Sequence, residues 1–503
     1  MEAVPLKADT LQRKQTTYEE AIEATTVGRF NYFLLTICGL CYMAGGVEVG
    51  GHSVLILSAE CDLNLSLHDK GLLVAVGFSG SILSLPVLGY LSDTYGRIRT
   101  MKTTLIGSVC MSVLSAFSIN TTMLIVFRFF TCVLISATQS SVFTLITEFN
   151  SNKTRLRHLT ILAAFVFAGT FYFRAMTIVH YSLNLKSYIP IAPWRLLVLI
   201  YALPSFFALI GLLCLPESPK FLLSKGRHEE CLNTLMKIFN INTREPEGSF
   251  PYTEISFEEP PDKIKLTSLA DTLLNMGKQT VQLFKGKLLF KTSHINFIVL
   301  ITALIGGGVA MWMPSILTDV MGSDSNVKTV CGSVMLRATR SQNVTVVGLE
   351  KECTGDLNIL PFVVMSIVSI CMFTISLGTS YIVNLIGRNG LIVMWLFFSS
   401  VSSFAVYVSE SYAVNILALT LIINAVTING NIYGVASEIY PTSINSMGVS
   451  LVIMMTYIGC LLGSYFVGPL VLYYCYQTFL VFGCLLVLVI VLVFLLPNNK
   501  SVK

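Results

Sequence analysis

Charge is what this chain has least of. Asp, Glu, Lys and Arg make up 12% of its 503 residues and hydrophobic residues 54%, whereas soluble domains carry about 25% charge and about 45–50% apolar residues. Too few polar side chains remain to cover a water-exposed surface, which excludes soluble enzymes and soluble binding modules. Intrinsic disorder requires low hydrophobicity and abundant charge, so it is excluded as well. The parts of several chemistries are also missing. There is no P-loop, no GxSxG elbow and no metal-ligand spacing of His and Cys, so the chain reads as a non-enzyme without cofactor or metal. Nor do its charges, net +5, suggest a nucleic-acid partner.

What the chain does have is long apolar runs. A membrane-spanning helix takes about 20 mostly apolar residues. Such windows recur at 31–55, 70–91, 102–119, 121–144, 159–181, 194–215, 294–316, 361–382, 391–408, 412–434, 447–470 and 476–496. The run 485–496, LLVLVIVLVFLL, shows no alternation of polar and apolar residues, which rules against a β-barrel. The expected fold is therefore an all-α polytopic membrane protein with twelve transmembrane helices, its solvent the lipid bilayer.

Lys and Arg collect on the cytoplasmic side of short loops. With both termini cytoplasmic, 24 of the 33 fall on that side, seven on the other, and Arg128 and Arg174 lie within spans. The polar stretch 216–293 divides the helices six and six. The domain reading is an N-terminal tail 1–30, a bundle 31–215, a cytoplasmic loop 216–293, a second bundle 294–496 and a tail 497–503. The external or luminal loop 317–360 holds Cys331 and Cys353, a candidate disulfide, and Asn343 in a sequon, the preferred glycosylation candidate. The loop 216–293 is expected to be too polar for a core of its own, with amphipathic helices lying against the bundle between Lys263 and Lys291.

An internal repeat links the halves. Gly89-Tyr-Leu-Ser-Asp93-Thr-Tyr-Gly96-Arg97-Ile-Arg99 joins the second and third spans, and Ser380-Tyr-Ile-Val-Asn384-Leu-Ile-Gly387-Arg388 joins the eighth and ninth. Glu148 with Arg155, and Glu438 with Asn445, form a second pair at nearly the same offset. Glycine allows a tight turn, and the charged residues can grip neighbouring helix ends in contacts that break when two bundles rock. The pattern suits a gate.

These motifs, together with Pro216-Glu217-Ser218-Pro219 after the sixth span, resemble the major facilitator superfamily, in its branch of sugar and organic-ion transporters. Met43-Ala-Gly-Gly-Val-Glu48-Val, Ser58-Ala-Glu60 with Lys70-Gly71, and Trp312-Met-Pro314 resemble the synaptic vesicle glycoprotein two group. The resemblance implies two six-helix bundles around a cavity opened alternately to each side, with charge contacts at Glu148, Arg155, Glu217 and Glu438. The second half departs from the pattern at Ser380, Asn384 and Asn445, and Cys132 stands where a glycine would follow the Arg128 match.

Charges inside spans are costly and point to function or to ion pairs. Glu48, Arg128 and Arg174 share the outer half of a hydrocarbon core about 30 Å thick, so Glu48 can pair with either arginine. His52, four residues on, falls on the same helix face. Glu48 and His52 are candidates for a proton or Na⁺ site and the arginines for an anionic group, or all are a buried register pair. Asn429 and Tyr433 can line one cavity wall or serve as interhelical glue, and Phe165 and Trp312 can face an organic solute or simply pack. Two functions remain open. One is a secondary transporter of a small organic solute; the other is a transporter-fold vesicle protein acting in trafficking or binding. The membrane is either plasma or vesicle.

Overall fold

The computed structural model describes residues 15–60, 62–182, 192–246, 249–256, 269–322, 329–333 and 359–495. Ten helices among them are long and apolar enough to cross a membrane. In the first half α1 (Tyr18–Ala24) precedes α2 (Arg29–Gly50), α3 (His52–Ala59), α4 (Leu67–Tyr95), α5 (Arg97–Ala116), α6 (Thr121–Phe149), α7 (Asn152–Ser182) and α8 (Pro193–Leu213). Then come α9 (Pro219–Ser224), α10 (His228–Thr243) and α11 (Leu269–Leu283). The second half has α12 (Gly286–Gly322), α13 (Leu360–Ile386), α14 (Arg388–Val408), α15 (Tyr412–Thr427), α16 (Asn429–Ile439) and α17 (Asn445–Phe494).

The twelve crossings follow from these elements. The opening of α5 carries Arg97, Arg99 and Lys102, which makes it the least apolar, yet it packs along α6 and α8. At 1.5 Å per residue the 50-residue α17 is more than twice as long as a hydrocarbon core of about 30 Å. It leaves helical geometry at Tyr474 (φ −133°, ψ 42°) and so crosses twice. The tenth span, expected over 412–434, is one crossing that runs on to Ile439 as α15 and α16, with Ile428 between them in helical backbone (φ −60°, ψ −26°). The seventh, expected over 294–316, is longer at both ends because α12 starts at Gly286 and ends at Gly322.

Local chemistry sets the helix starts. Ser66 and Asp69 form a reciprocal capping box on α4, and Asn120 accepts the Met123 amide at the start of α6. Gly96 (φ +113°) and Gly387 (φ +78°) make the matching turns from α4 to α5 and from α13 to α14, a backbone geometry that favours glycine. The two bundles meet along α7 with α13 and along α4 with α17. Within the second bundle, α12 and α17 approach through small residues. A Cβ on Gly459 would stand 2.7 Å from the Leu300 carbonyl and the Ala303 methyl. Large apolar side chains such as Leu83, Phe207 and Leu385 stay exposed, as a lipid-facing surface requires.

One expectation about 216–293 fails. The segment does contribute to a core, because β2 (Glu254–Ser256) pairs in parallel with β1 (Gln15–Thr17) of the amino-terminal segment. Ile22 of α1, Leu222 and Leu223 of α9, Leu235 and Phe239 of α10, and Phe250 are buried together. The apolar positions that make this core come from two separate stretches, 18–22 and 222–255, so neither segment alone shows it. This unit sits on the face carrying the α4–α5 turn, the motif face. Tyr18 donates to the Glu148 carbonyl (2.5 Å), Arg155 meets Glu19 (3.0 Å), and Lys153 pairs with Glu23. Asn242 accepts the Phe30 amide (3.0 Å) and donates to Asn31 (2.9 Å) and the Thr25 carbonyl (3.0 Å). Burial raises the Tyr18 phenol and pushes the Cys231 thiol up to about 12, so Cys231 is neutral and unreactive at physiological pH. Alkylation of Cys231 in the folded protein should be slow. Ile22→Ala, which loosens α1, should accelerate it about tenfold or more, from roughly 2 kcal/mol or more of lost packing, as followed by mass spectrometry.

The disulfide differs from expectation too. Cys331 is bonded to Cys475, 144 residues away, with a Cα separation of 5.6 Å. The break at Tyr474, between the expected spans 447–470 and 476–496, delivers Cys475 to Cys331 at the end of the second bundle away from the motif turns. Cys353 and Asn343 lie outside the described residues. Peptide mapping under non-reducing conditions is expected to recover a Cys331–Cys475 linked pair, and Cys475→Ser should cost about 2–5 kcal/mol of stability, read from thermal unfolding.

Candidate functional site

The residues of the candidate gate motif converge on the motif face. The amides of Ser446 and Met447, in the first turn of α17, donate to Asp93 Oδ1 (3.1 Å) and Oδ2 (2.9 Å). An anion at a helix N-terminus is favoured by the orphan N–H groups and the helix dipole together. Arg97 lies 3.2 Å from Asp93 and 3.0 Å from Glu148, donates to the Thr442 carbonyl (3.1 Å) and stands 4.8 Å from the Phe221 ring centroid. Asp93, Arg97 and Glu148 are each at most 3% exposed. Glu217 accepts the amides of Arg97, Ile98 and Arg99 at 2.9–3.2 Å, capping α5 beneath the Gly96 turn. Gly89 lets α17 approach, since a Cβ there would stand 2.9 Å from Ser450 Cβ and 3.0 Å from Met447 Cα. The Arg99 side chain is exposed.

The second half repeats part of this. Arg388 meets Glu438 at 2.5 Å, the counterpart of Arg97 with Glu148, and Gly387 makes the turn. The Asn384 side chain lies outside the described residues. Across this side of the seam, Arg157 stands over the Tyr381 ring at 4.6 Å. Arg155, a candidate for charge contacts in this loop, meets Glu19, which the amino-terminal segment brings within reach, and donates to the Asn150 carbonyl (3.2 Å).

Inside the membrane region the pairing left open by sequence is Glu48 with Arg128, at 2.5 Å. Ser112 donates to the other Glu48 oxygen at 2.8 Å, and both charged residues are 1% exposed. Arg174 goes elsewhere. It donates to Ser369 Oγ (2.7 Å) and the Met365 carbonyl (3.2 Å) of α13, tying the bundles on the face opposite the motifs. His52 is buried, its Nδ1 3.2 Å from the Val49 carbonyl. Gly51, which separates α2 from α3, keeps helical backbone (φ −62°, ψ −19°), and the two elements form one crossing, Arg29–Ile56.

The remaining candidates pack. Thr302 donates to Asn429 (2.7 Å), and Tyr433 shares a hydrogen bond with Thr456 (2.5 Å), so the two residues tie helices together. Tyr433 also meets Phe143 edge-on at 5.2 Å, and Phe143 meets Tyr42 at 5.1 Å, an aromatic file across the seam. Phe165 lies against Gly39 and 6.1 Å from Phe373. Trp312 donates its indole N–H to the Ser464 carbonyl (2.8 Å) and lays its ring on Gly468.

A model of the Major Facilitator Superfamily matches residues 38–339. The chain belongs to the major facilitator superfamily. Synaptic vesicle glycoprotein 2B of Homo sapiens is 32% identical over 254 residues, 49% of this chain and 37% of that protein. Synaptic vesicle glycoprotein 2A of Rattus norvegicus is 32% identical over 255 residues, 49% of this chain and 34% of that protein. The match thus spans well under half the length of these relatives. Among solved structures, the proton:xylose symporter XylE of E. coli superposes with TM-score 0.63 at 16% identity, over 93% of this chain and 97% of that one. The human organic anion transporter MFSD10 superposes with TM-score 0.58 at 12% identity, over 92% and 99%. At such identities the likeness is one of fold, the two six-helix bundles of the superfamily.

Sequence reasoning missed the groups that Asp93 and Arg97 meet at the start of α17 and in the turn just before it. They are backbone groups, the Thr442 carbonyl and the Ser446 and Met447 amides, and carry no side-chain signal. It also missed Ser369, an ordinary serine until Arg174 reaches it.

Proposed function

We propose that the chain is a secondary transporter that carries a small organic solute across the membrane by alternating access, driven by H⁺, by Na⁺ or by the solute's own gradient. The observation that supports this most directly is the grip of Asp93 on the α17 amides. It is a buried, charge-assisted tie between the two bundles at one face, and such a tie suits a machine whose bundles separate there in another state. The Lys and Arg count assigns that face to the cytoplasm, so the described state is closed inward. Glu48, Ser112 and Arg128 form the candidate coupling site. A carboxylate held by one arginine can exchange that partner for a proton or cation when the cavity wets. Transport rather than catalysis is the role such a fold suits.

The eroded second-half motif, with Asn384 and Asn445, and the likeness to synaptic vesicle glycoproteins favour a second reading, a vesicle-membrane component in trafficking or binding. Uptake of a labelled metabolite mixture into proteoliposomes separates the two. Accumulation of one solute under a pH gradient, lost in Glu48→Gln protein that still folds, would establish a proton-coupled carrier. Absence of uptake under H⁺, Na⁺ and solute gradients alike, with folded protein, would favour the trafficking role.

A further inference from the structure

A cleft of about 460 Å³ opens on the motif face, away from the seam, where α2 begins, α8 ends and α10 crosses beneath them. Its floor is apolar and belongs to the main core: Phe30, Leu215 and Ile238 are buried. Its rim is apolar and open, with Phe33 41% and Ile241 47% exposed beside Cys214. Two cations, Arg29 and Lys237, complete the lining, and no carboxylate is among the lining residues. A third positive charge lies close by, since the Lys102 ammonium donates to the Leu213 and Leu215 carbonyls. The acid nearest in sequence, Glu217, is turned to the α5 amides.

The location decides what such a cleft can hold. Arg29 is the first residue of one membrane-crossing helix and Leu213 the last of another, so the cleft lies at the level where spans leave the hydrocarbon. From its rim an exposed apolar strip, Leu213, Ile210, Phe207 and Phe206, runs up α8 into the membrane region. The order is therefore cations at the polar level, then apolar floor, then lipid-facing strip. A soluble anion would use only the first part. A phospholipid uses all three, with phosphate between Arg29 and Lys237 and acyl chains along α8.

We infer that this cleft binds an anionic phospholipid of the bilayer leaflet at the motif face. The lipid joins α2, of the first bundle, to α10, of the extramembrane unit, beside the Asn242 hydrogen bonds that already dock the unit. It thereby steadies the unit whose Tyr18 reaches Glu148.

The test uses the full chain in nanodiscs of phosphatidylcholine with and without phosphatidylserine, with native mass spectrometry to count retained lipid. The wild type is expected to retain a phosphatidylserine. The variant Arg29→Gln with Lys237→Gln should lose it, with affinity falling about fivefold per removed cation. Lys278→Gln with Lys285→Gln, a matched charge loss on the same face, should retain it. Ile241→Trp, which keeps both cations and fills the rim, should also lose the lipid, so a folding failure of the charge variant would leave the inference testable. Equal retention by wild type and both cleft variants would overturn the proposal, as would equal retention of phosphatidylcholine. Thermal protection by inorganic phosphate alone, matching that by phosphatidylserine, would also overturn it and mark the cleft as a soluble-anion site.

Discussion

Replacing Arg128 with methionine is expected to cost about 3–5 kcal/mol of stability, the largest single-residue effect predicted for this chain. The reason lies in what the substitution leaves behind. Glu48 is 1% exposed and has two partners, Arg128 at 2.5 Å and Ser112 at 2.8 Å. Without the arginine a carboxylate remains inside the bundle with one hydroxyl to hold it, and its desolvation is no longer offset. Methionine fills similar volume, so cavity formation contributes little. Adding Glu48→Gln to the same chain should restore most of the loss, because the amide needs no counter-charge. Thermal unfolding of the four proteins of this cycle, in one detergent, gives the coupling energy directly. A double variant no more stable than Arg128→Met would show that the arginine acts through packing rather than through its charge. The cycle also protects the uptake experiment, since it shows whether Glu48→Gln loses transport in protein of normal stability.

The second large effect is expected at the gate. Asp93→Ala removes two charge-assisted hydrogen bonds to the start of α17, each worth about 1.5–3 kcal/mol, and leaves Arg97 with Glu148. The state closed at the motif face should then lose on the order of a hundredfold in population relative to the open one, from at least 3 kcal/mol of lost contact. Ser92 and Ser446 report this distance, since their hydroxyls stand 3.4 Å apart across the seam. With Ser92→Cys and Ser446→Cys in place, oxidative cross-linking should be rapid, and Asp93→Ala should slow it severely. Asp93→Asn should fall between, because an amide oxygen still accepts one N–H without the charge. Cross-linking at the same rate in all three backgrounds would mean that Asp93 does not hold the bundles together. The same substitution should raise the exposure of Thr147 and Ser437, which hydrogen-bond across the seam at 2.8 Å.

The two halves need not respond alike. In the first, a carboxylate holds the helix opposite it by backbone amides. In the second, Arg388 is bound to Glu438 of its own bundle, and the seam contact there is Arg157 over Tyr381. A cation over an exposed ring contributes about 0.5–1 kcal/mol, less than two charged hydrogen bonds. The substitutions at Asn384 and Asn445 foreshadow this imbalance, though the contact that replaces the missing charges is visible only with α7 and α13 side by side.

Composition and periodicity determined the crossings, because a run of apolar residues as long as the bilayer is thick has one environment in which it is stable. The repeat at Gly96 and Gly387 likewise announced two matching turns, since each demands a backbone angle that favours glycine. Charges within spans flagged Glu48, Arg128 and Arg174 on energetic grounds alone. Which arginine met Glu48 depended on packing, as did the partner of Cys331, because helix rotation and the break at Tyr474 are set by neighbouring helices rather than by local propensity. The amino-terminal strand and β2 pair only when the intervening bundle has brought them together, and their shared core is too dispersed along the chain to be seen in it. Long apolar segments thus encode their own environment, while polar contacts between distant segments exist only once the tertiary structure has placed both partners.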